Sequence, residues 1–196
     1  MSEELKEERE RLLELFRAYG ILRGDFTLSS GRRSRIYFDG RMLSLHPEGA
    51  FLIGRIFWRI LSAEGAEAVG GPTLGADPIV AAVALTSYLE GKPMPAFIVR
   101  SQAKEHGTRK LIEGHLRKDM KVGVVDDVIT TGSSLLKAVE AVEREGAKVV
   151  KIVVLLDRKE GGSELLMKRG YSFCSLFTAD PAKEGEIVLS PLEIRA

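Results

Sequence analysis

At 196 residues with 44% hydrophobic side chains, the chain suits one α/β domain large enough to bury well over half of its unfolded surface. Lysine and arginine total 29 against 28 aspartates and glutamates, a formal charge of +1. Any electropositive site must therefore be local, which argues against a nucleic-acid binder coated in positive charge. The single Cys174 excludes an intramolecular disulfide, and its setting in Y-S-F-C-S-L-F favours an inert core thiol. The opening M-S-E-E-L-K-E-E-R-E is charged where a secretory signal would be apolar, and no run approaches the ~18 apolar residues of a membrane span, so a cytoplasmic location is expected.

In chain order, Leu5, Leu12, Leu13, Phe16 and Tyr19 recur at helical spacing, and Gly20 closes the segment. This predicts an amphipathic opening helix over Glu3 to Tyr19 with a solvated charged face. In F-T-L-S-S-G-R-R-S-R-I-Y-F-D-G-R, Ser-Ser-Gly marks a turn between two extended pieces, a hairpin with a basic tip. Phe51, Ile53, Ile56, Phe57, Ile60 and Leu61 then lay an apolar stripe along a helix from Pro47 to Ala63, where Trp58 reads as ordinary packing.

Next the chain alternates β-branched and helical runs: A-V-G-G, a helix from about Asp77 to Leu89, A-F-I-V, K-V-G-V-V-D, a helix from about Ser133 to Arg144, and K-V-V-K-I-V-V-L-L-D. Strands this apolar on both faces belong inside a parallel sheet covered by helices, so the fold class is doubly wound, mainly parallel α/β. The segment from Arg100 to Lys118 breaks the rhythm, being polar with two glycines, and reads as a long functional or disordered loop. His46 and His115 have no partner in sequence and read as surface residues.

The strongest chemical signal is V-G-V-V-D-D-V-I-T-T-G-S-S, Val122 to Ser134: an apolar strand, two acids, a hydroxyl-rich loop with glycine, then a helix. Gly132 lets successive amides turn toward one anion, and the helix start adds free N–H groups and the positive end of its dipole. Thr130, Thr131, Ser133 and Ser134 add hydroxyl donors, so a phosphate monoester fits. Asp126 and Asp127 would repel that phosphate unless they face something else, either ribose hydroxyls or Mg²⁺. No G-x-x-x-x-G-K-[ST] occurs, which excludes a P-loop.

This string resembles the phosphoribosyl pyrophosphate signature of type I phosphoribosyltransferases. The resemblance implies that Asp126 and Asp127 hold ribose hydroxyls, that Val128 and Ile129 join them in binding phosphoribosyl pyrophosphate, and that Thr130, Thr131, Gly132, Ser133 and Ser134 hold the 5′-phosphate. Three further segments resemble the orotate branch of that family. F-T-L-S-S-G-R-R-S-R-I-Y-F-D is similar to its hood, of form F-x-L-x-S-G-x-x-S-x-x-Y-F, and implies that Tyr37 and Phe38, with Thr130, bracket orotate. V-R-S-Q-A-K-E-H-G resembles its flexible loop, which implies that Arg100, Lys104 and His106 gather around the departing pyrophosphate. L-L-D-R-K-E-G-G places Arg158 at the family arginine that reads the orotate carboxylate or carbonyl, a task suited to a planar guanidinium.

G-G-P-T-L-G-A-D-P resembles the pyrophosphate loop, with Thr73, Leu74 and Gly75 as candidates. The expected enzyme is one domain over 1–196, with a helix and hood at 1–45, a core sheet at 64–180 and a catalytic loop at 100–118. It would join orotate to phosphoribosyl pyrophosphate, with Mg²⁺ carried mainly by substrate, as a homodimer that shares the loop across its interface, with no membrane or nucleic-acid partner. Alternatives are a transferase for another base and a regulator that senses the donor without transfer. Many family members carry lysine where this chain has Ser29, Gly75 and Ser101; Arg32, Arg33, Arg109 and Lys110 are candidate substitutes.

Overall fold

The computed structural model describes residues 3–27, 33–102, 111–179 and 185–192. Helix α1, Glu3–Leu15, runs into a wide turn at Phe16–Gly20 and buries Leu5, Leu12, Leu13 and Phe16, as the spacing predicts. Two details differ. Tyr19 is 46% exposed and stacks on His46, with ring centroids 5.2 Å apart. The charged face is not simply solvated either, because Glu8 meets Arg55 at 2.7 Å and Arg59 at 2.9 Å on α3, Pro47–Ala63. Among neighbouring charges on packed helices, such a network ties α1 down more firmly than one exposed pair would.

Strands β1, Ile21–Thr27, and β2, Arg33–Phe38, form a separate antiparallel pair, while the tip between them lies outside the described residues. After the short helix α2, Arg41–Ser44, the α3 helix starts with His46 as its cap: the imidazole Nδ1 accepts from the Gly49 N–H at 3.3 Å. His46 is thus a structural residue, where the sequence suggested a plain surface one. On α3 the predicted stripe is buried except for Phe51, which is 57% exposed under the Arg55 guanidinium.

The main sheet has seven strands in the order β5-β4-β3-β6-β7-β8-β9. They are β3 Ala68–Pro72, β4 Ala96–Val99, β5 Ile112–Gly114, β6 Lys121–Ile129, β7 Lys148–Asp157, β8 Phe173–Ala179 and β9 Ile187–Leu189. The five inner strands run parallel and the two edge strands antiparallel. Helix α4, Asp77–Leu89, joins α1 and α3 in one apolar core, while α5, Ser133–Arg144, packs with the buried Val122, Val124, Ile152 and Val154. With helices α5 and α6, Gly162–Lys168, completing the cover, the class is doubly wound α/β as expected.

Within 100–118, read as loop throughout, β5 pairs with β4, and Leu111 and Ile112 pack onto a core cluster. Residues 103–110 lie outside the described set. Arg9, on the charged side of α1, is 3% exposed and donates to the Leu176 and Ser190 carbonyls, tying the first helix to the last strands. Burial pushes the half-covered Cys174 thiol up to about 11, which agrees with an inert thiol at neutral pH.

Candidate active site

Strand β6 carries the two acids near its end, closes with Val128 and Ile129 and leads into the loop Thr130–Thr131–Gly132, and α5 begins at once with Ser133. Gly132 has φ 76°, a left-handed backbone that L side chains resist, which turns the following amides inward. The first amides of α5 have no intrahelical acceptor and converge on a cavity of about 200 Å³ lined by Asp126 and by Val128 to Leu135. The loop is fixed from behind: the Gly162 N–H donates to Thr130 O at 2.9 Å and the Arg158 N–H to Ile129 O at 3.1 Å. Gly162 approaches so closely that a Cβ there would lie 2.4 Å from Thr130 O and 2.7 Å from the Gly132 nitrogen.

The acids are held by local bonds. The Asp127 N–H donates to Asp126 Oδ1 at 2.9 Å, and the Val128 N–H to Asp127 Oδ1 at 2.8 Å. Burial raises both carboxyls above the ordinary 3.8, and for Asp126 the neighbouring Asp127 charge raises it further. Behind them Asp77, at the start of α4, has a buried Oδ1 with no hydrogen-bond partner, and burial raises its carboxyl too. A Cβ on Gly75 would lie 2.5 Å from Asp127 Oδ1, so the loop after β3 packs directly on the acids. A side chain at Gly75 would push the Asp127 and Asp126 carboxylates aside.

A larger cavity of about 450 Å³ opens beside Asp127. Tyr37, Phe38, Thr130 and Arg158 all line it, so the four residues expected to hold a base do converge. The Arg158 guanidinium sits 5.5 Å from the Phe38 ring centroid and pairs with Glu160 at 2.9 Å. Leu74 and Gly75 line this cavity as well, whereas Thr73 faces another, of about 300 Å³, together with Arg100, Ser133 and Ser134. Arg100 also meets Glu113 of β5 at 3.4 Å. Lys104 and His106, like Ser29, Arg32, Arg109 and Lys110, lie outside the described residues.

Sequence reasoning missed Arg41, which lines the 450 Å³ cavity while held by Asp39 at 2.9 and 3.0 Å. It missed Gly162 too, whose role exists only because a distant helix start backs the loop. Arg41 had a readable signal: it stands three residues beyond the paired aromatics, and its partner Asp39 lies between.

A family model of the phosphoribosyl transferase domain matches residues 42–178. The orotate phosphoribosyltransferase of Nostoc sp. is 45% identical over 171 residues, covering 87% of this chain and 82% of that protein. That of Aquifex aeolicus is 42% identical over 173 residues, covering 87% and 94%. The crystal structure of Mycobacterium tuberculosis orotate phosphoribosyltransferase with Fe(III) dicitrate superposes with a TM-score of 0.76 at 40% identity, over 86% of this chain and 94% of that one. The same enzyme solved with 5-phospho-α-D-ribosyl 1-diphosphate gives 0.72 at 38%. By sequence along most of its length and by the arrangement of strand, acids and phosphate loop, the chain belongs to the orotate phosphoribosyltransferase family.

Proposed function

We propose that the protein transfers the 5-phosphoribosyl group of phosphoribosyl pyrophosphate to N1 of orotate, giving orotidine 5′-monophosphate and pyrophosphate. The observation that carries this is the junction of two cavities: the base pocket with Arg158 and Phe38 shares Val128 and Thr130 with the phosphate cradle. A sugar held by Asp126 and Asp127 would present C1 to that pocket. As the N1 lone pair of orotate forms the C1–N1 bond, the C1–O bond to diphosphate breaks, pyrophosphate keeps that electron pair, and the N1 proton passes to a pyrophosphate oxygen or to water. No strong protein base is required. Orientation of both substrates supplies much of the rate, and fixed donors around the diphosphate supply the rest.

Asp126 and Asp127 fit a role toward Mg²⁺ and the ribose hydroxyls. Among the described residues no group of three or more His, Cys, Asp or Glu side chains could hold a metal alone, so substrate oxygens would complete the shell. When bound, Mg²⁺ neutralises charge on the departing diphosphate. The assay is direct: loss of orotate absorbance on mixing with phosphoribosyl pyrophosphate, Mg²⁺ and protein, with purine bases as controls. Turnover of a purine but not of orotate rejects the reading.

Arg158 is assigned to the orotate carboxylate or carbonyl. Arg158→Ala is expected to raise the KM for orotate by about 10²-fold, the loss of a charge-assisted bidentate contact, while the KM for the donor stays within about twofold. Equal losses for both substrates would remove Arg158 from that role.

The proposal includes a cytoplasmic homodimer in which Lys104 and His106 of one subunit close over its partner's site. In support, Phe51 on α3 and Leu85, Tyr88 and Leu89 on α4 are large apolar side chains left exposed on two helices that pack together. No helix among the described residues is long and apolar enough to cross a membrane. A Lys104→Ala chain mixed with an Asp126→Asn/Asp127→Asn chain is expected to recover about a quarter of native activity, since random pairing leaves one intact site in half of the dimers. Recovery no greater than the two parents alone rules out shared sites.

A further inference from the structure

The 300 Å³ cavity beside the phosphate loop has walls from three elements: Thr73 after β3, Arg100 after β4, and Ser133, Ser134, Lys137 and Arg144 on α5. Among the described residues no carboxylate lines it. Lys137 and Arg144 are exposed, and among the described residues neither has an ion-pair partner. The nearest acid on the same helical face, Glu140, turns instead to Arg169 at 3.8 Å. Lys137 follows Ser133 by four residues and precedes Arg144 by seven, so all three fall along one face of α5. Helical side chains lean toward the N-terminus, which directs the Lys137 ammonium back toward Ser133 and the loop.

Ser133 and Ser134 line both this cavity and the 5′-phosphate cradle. One ligand with phosphate groups at both ends can therefore occupy the two. Ser101, in the same wall, and Gly75, against the acids, bring no charge to this side of the site. The cations facing it from the described residues are Arg100, Lys137 and Arg144, and Arg100 is partly neutralised by Glu113.

We propose that Lys137, with Arg144 behind it, binds the diphosphate end of the phosphoribosyl donor and the pyrophosphate that it becomes. The inference rests on the transferase reading above, because it takes the loop at 130–134 to hold the other end of the same molecule. A diphosphate suits the cavity better than a monophosphate: it carries more charge than one cation offsets, and Thr73 and Arg100, from elements other than α5, line the same cavity.

The test is titration calorimetry of the full chain with inorganic pyrophosphate and Mg²⁺, with ribose 5-phosphate as the second titrant. Lys137→Ala is expected to weaken pyrophosphate about tenfold, the loss of one charge-assisted contact, and to leave ribose 5-phosphate within about twofold. Lys137→Arg should restore most of the affinity, and Arg144→Ala should cost about threefold, as a more distant charge does. In the assay, Lys137→Ala should raise the KM for the donor and not that for orotate. Unchanged pyrophosphate affinity in Lys137→Ala overturns the proposal, and so does an equal loss for ribose 5-phosphate, which would assign the lysine to the cradle instead. Failure of the wild-type chain to consume orotate would reject the reaction, whereas the pyrophosphate titration reads the cavity without any turnover.

Discussion

Asp126→Asn and Asp127→Asn are each expected to cut kcat/KM by about 10²-fold or more and, at the same time, to raise the melting temperature of the unliganded protein. The first effect follows from losing a charged acceptor for the ribose hydroxyls and Mg²⁺. The second follows from the raised carboxyls: burial and, for Asp126, the adjacent charge make the ionised forms costly in the fold. A group whose pKa is higher folded than unfolded contributes stability that is fully present below the ordinary 3.8 and lost as pH rises through the folded value. Asparagine removes the ionisation and keeps an oxygen for the Asp127 or Val128 N–H. The melting gain should therefore be near zero below pH 3.8 and grow toward neutrality, by about 2–4 °C for each kcal/mol relieved. Thermal melts from about pH 3 to 8 decide this; a loss of stability at neutral pH would show that these carboxylates hold the fold together rather than strain it.

Gly162→Ala is expected to be the next most damaging single change, although the residue carries no functional group. Its Cβ would enter the space of Thr130 O, the Gly132 nitrogen and Ile129 Cγ1, all within 2.8 Å, and two of these are backbone that cannot swing aside. The loop must shift, so its amides no longer meet on one phosphate. The predicted result is a fall of about 10²-fold in kcat/KM for the donor and about 1–3 kcal/mol in stability. Ribose 5-phosphate binding should fall in parallel, while orotate titrated alone keeps its affinity. Native donor kinetics in Gly162→Ala would show that the loop needs no backing from α6.

Where structure followed from contiguous residues, it was legible. Helix α4 begins at Asp77-Pro78 and α5 directly after Gly132, because a first-turn proline and a turn glycine act over a few residues. The cradle was readable for the same reason, its strand, acids, glycine and helix being continuous. Strand β5 was hidden because three residues at a sheet edge, none of them buried, carry no period, and β9 is equally short. Arg9 buried among carbonyls of β8 and the stretch after β9 could not be read at all, since its partners lie 167 and 181 residues away. The base pocket fell between these cases: motif resemblance supplied Tyr37, Phe38, Thr130 and Arg158, while the fold adds Arg41 and turns Leu74, read as part of the pyrophosphate loop, toward the same cavity.

The two-stranded ribbon of β1 and β2 stands apart from the seven-stranded sheet, yet Thr27, Tyr37 and Phe38 from it wall the base cavity. One wall of the proposed base pocket thus sits on an appendage, while Arg158, Thr130 and the proposed sugar and phosphate cradle belong to the central scaffold. A lineage could revise the appendage without disturbing the donor apparatus, and an engineer wishing to redirect this catalyst toward a different heterocycle would begin with the ribbon and leave β6 untouched.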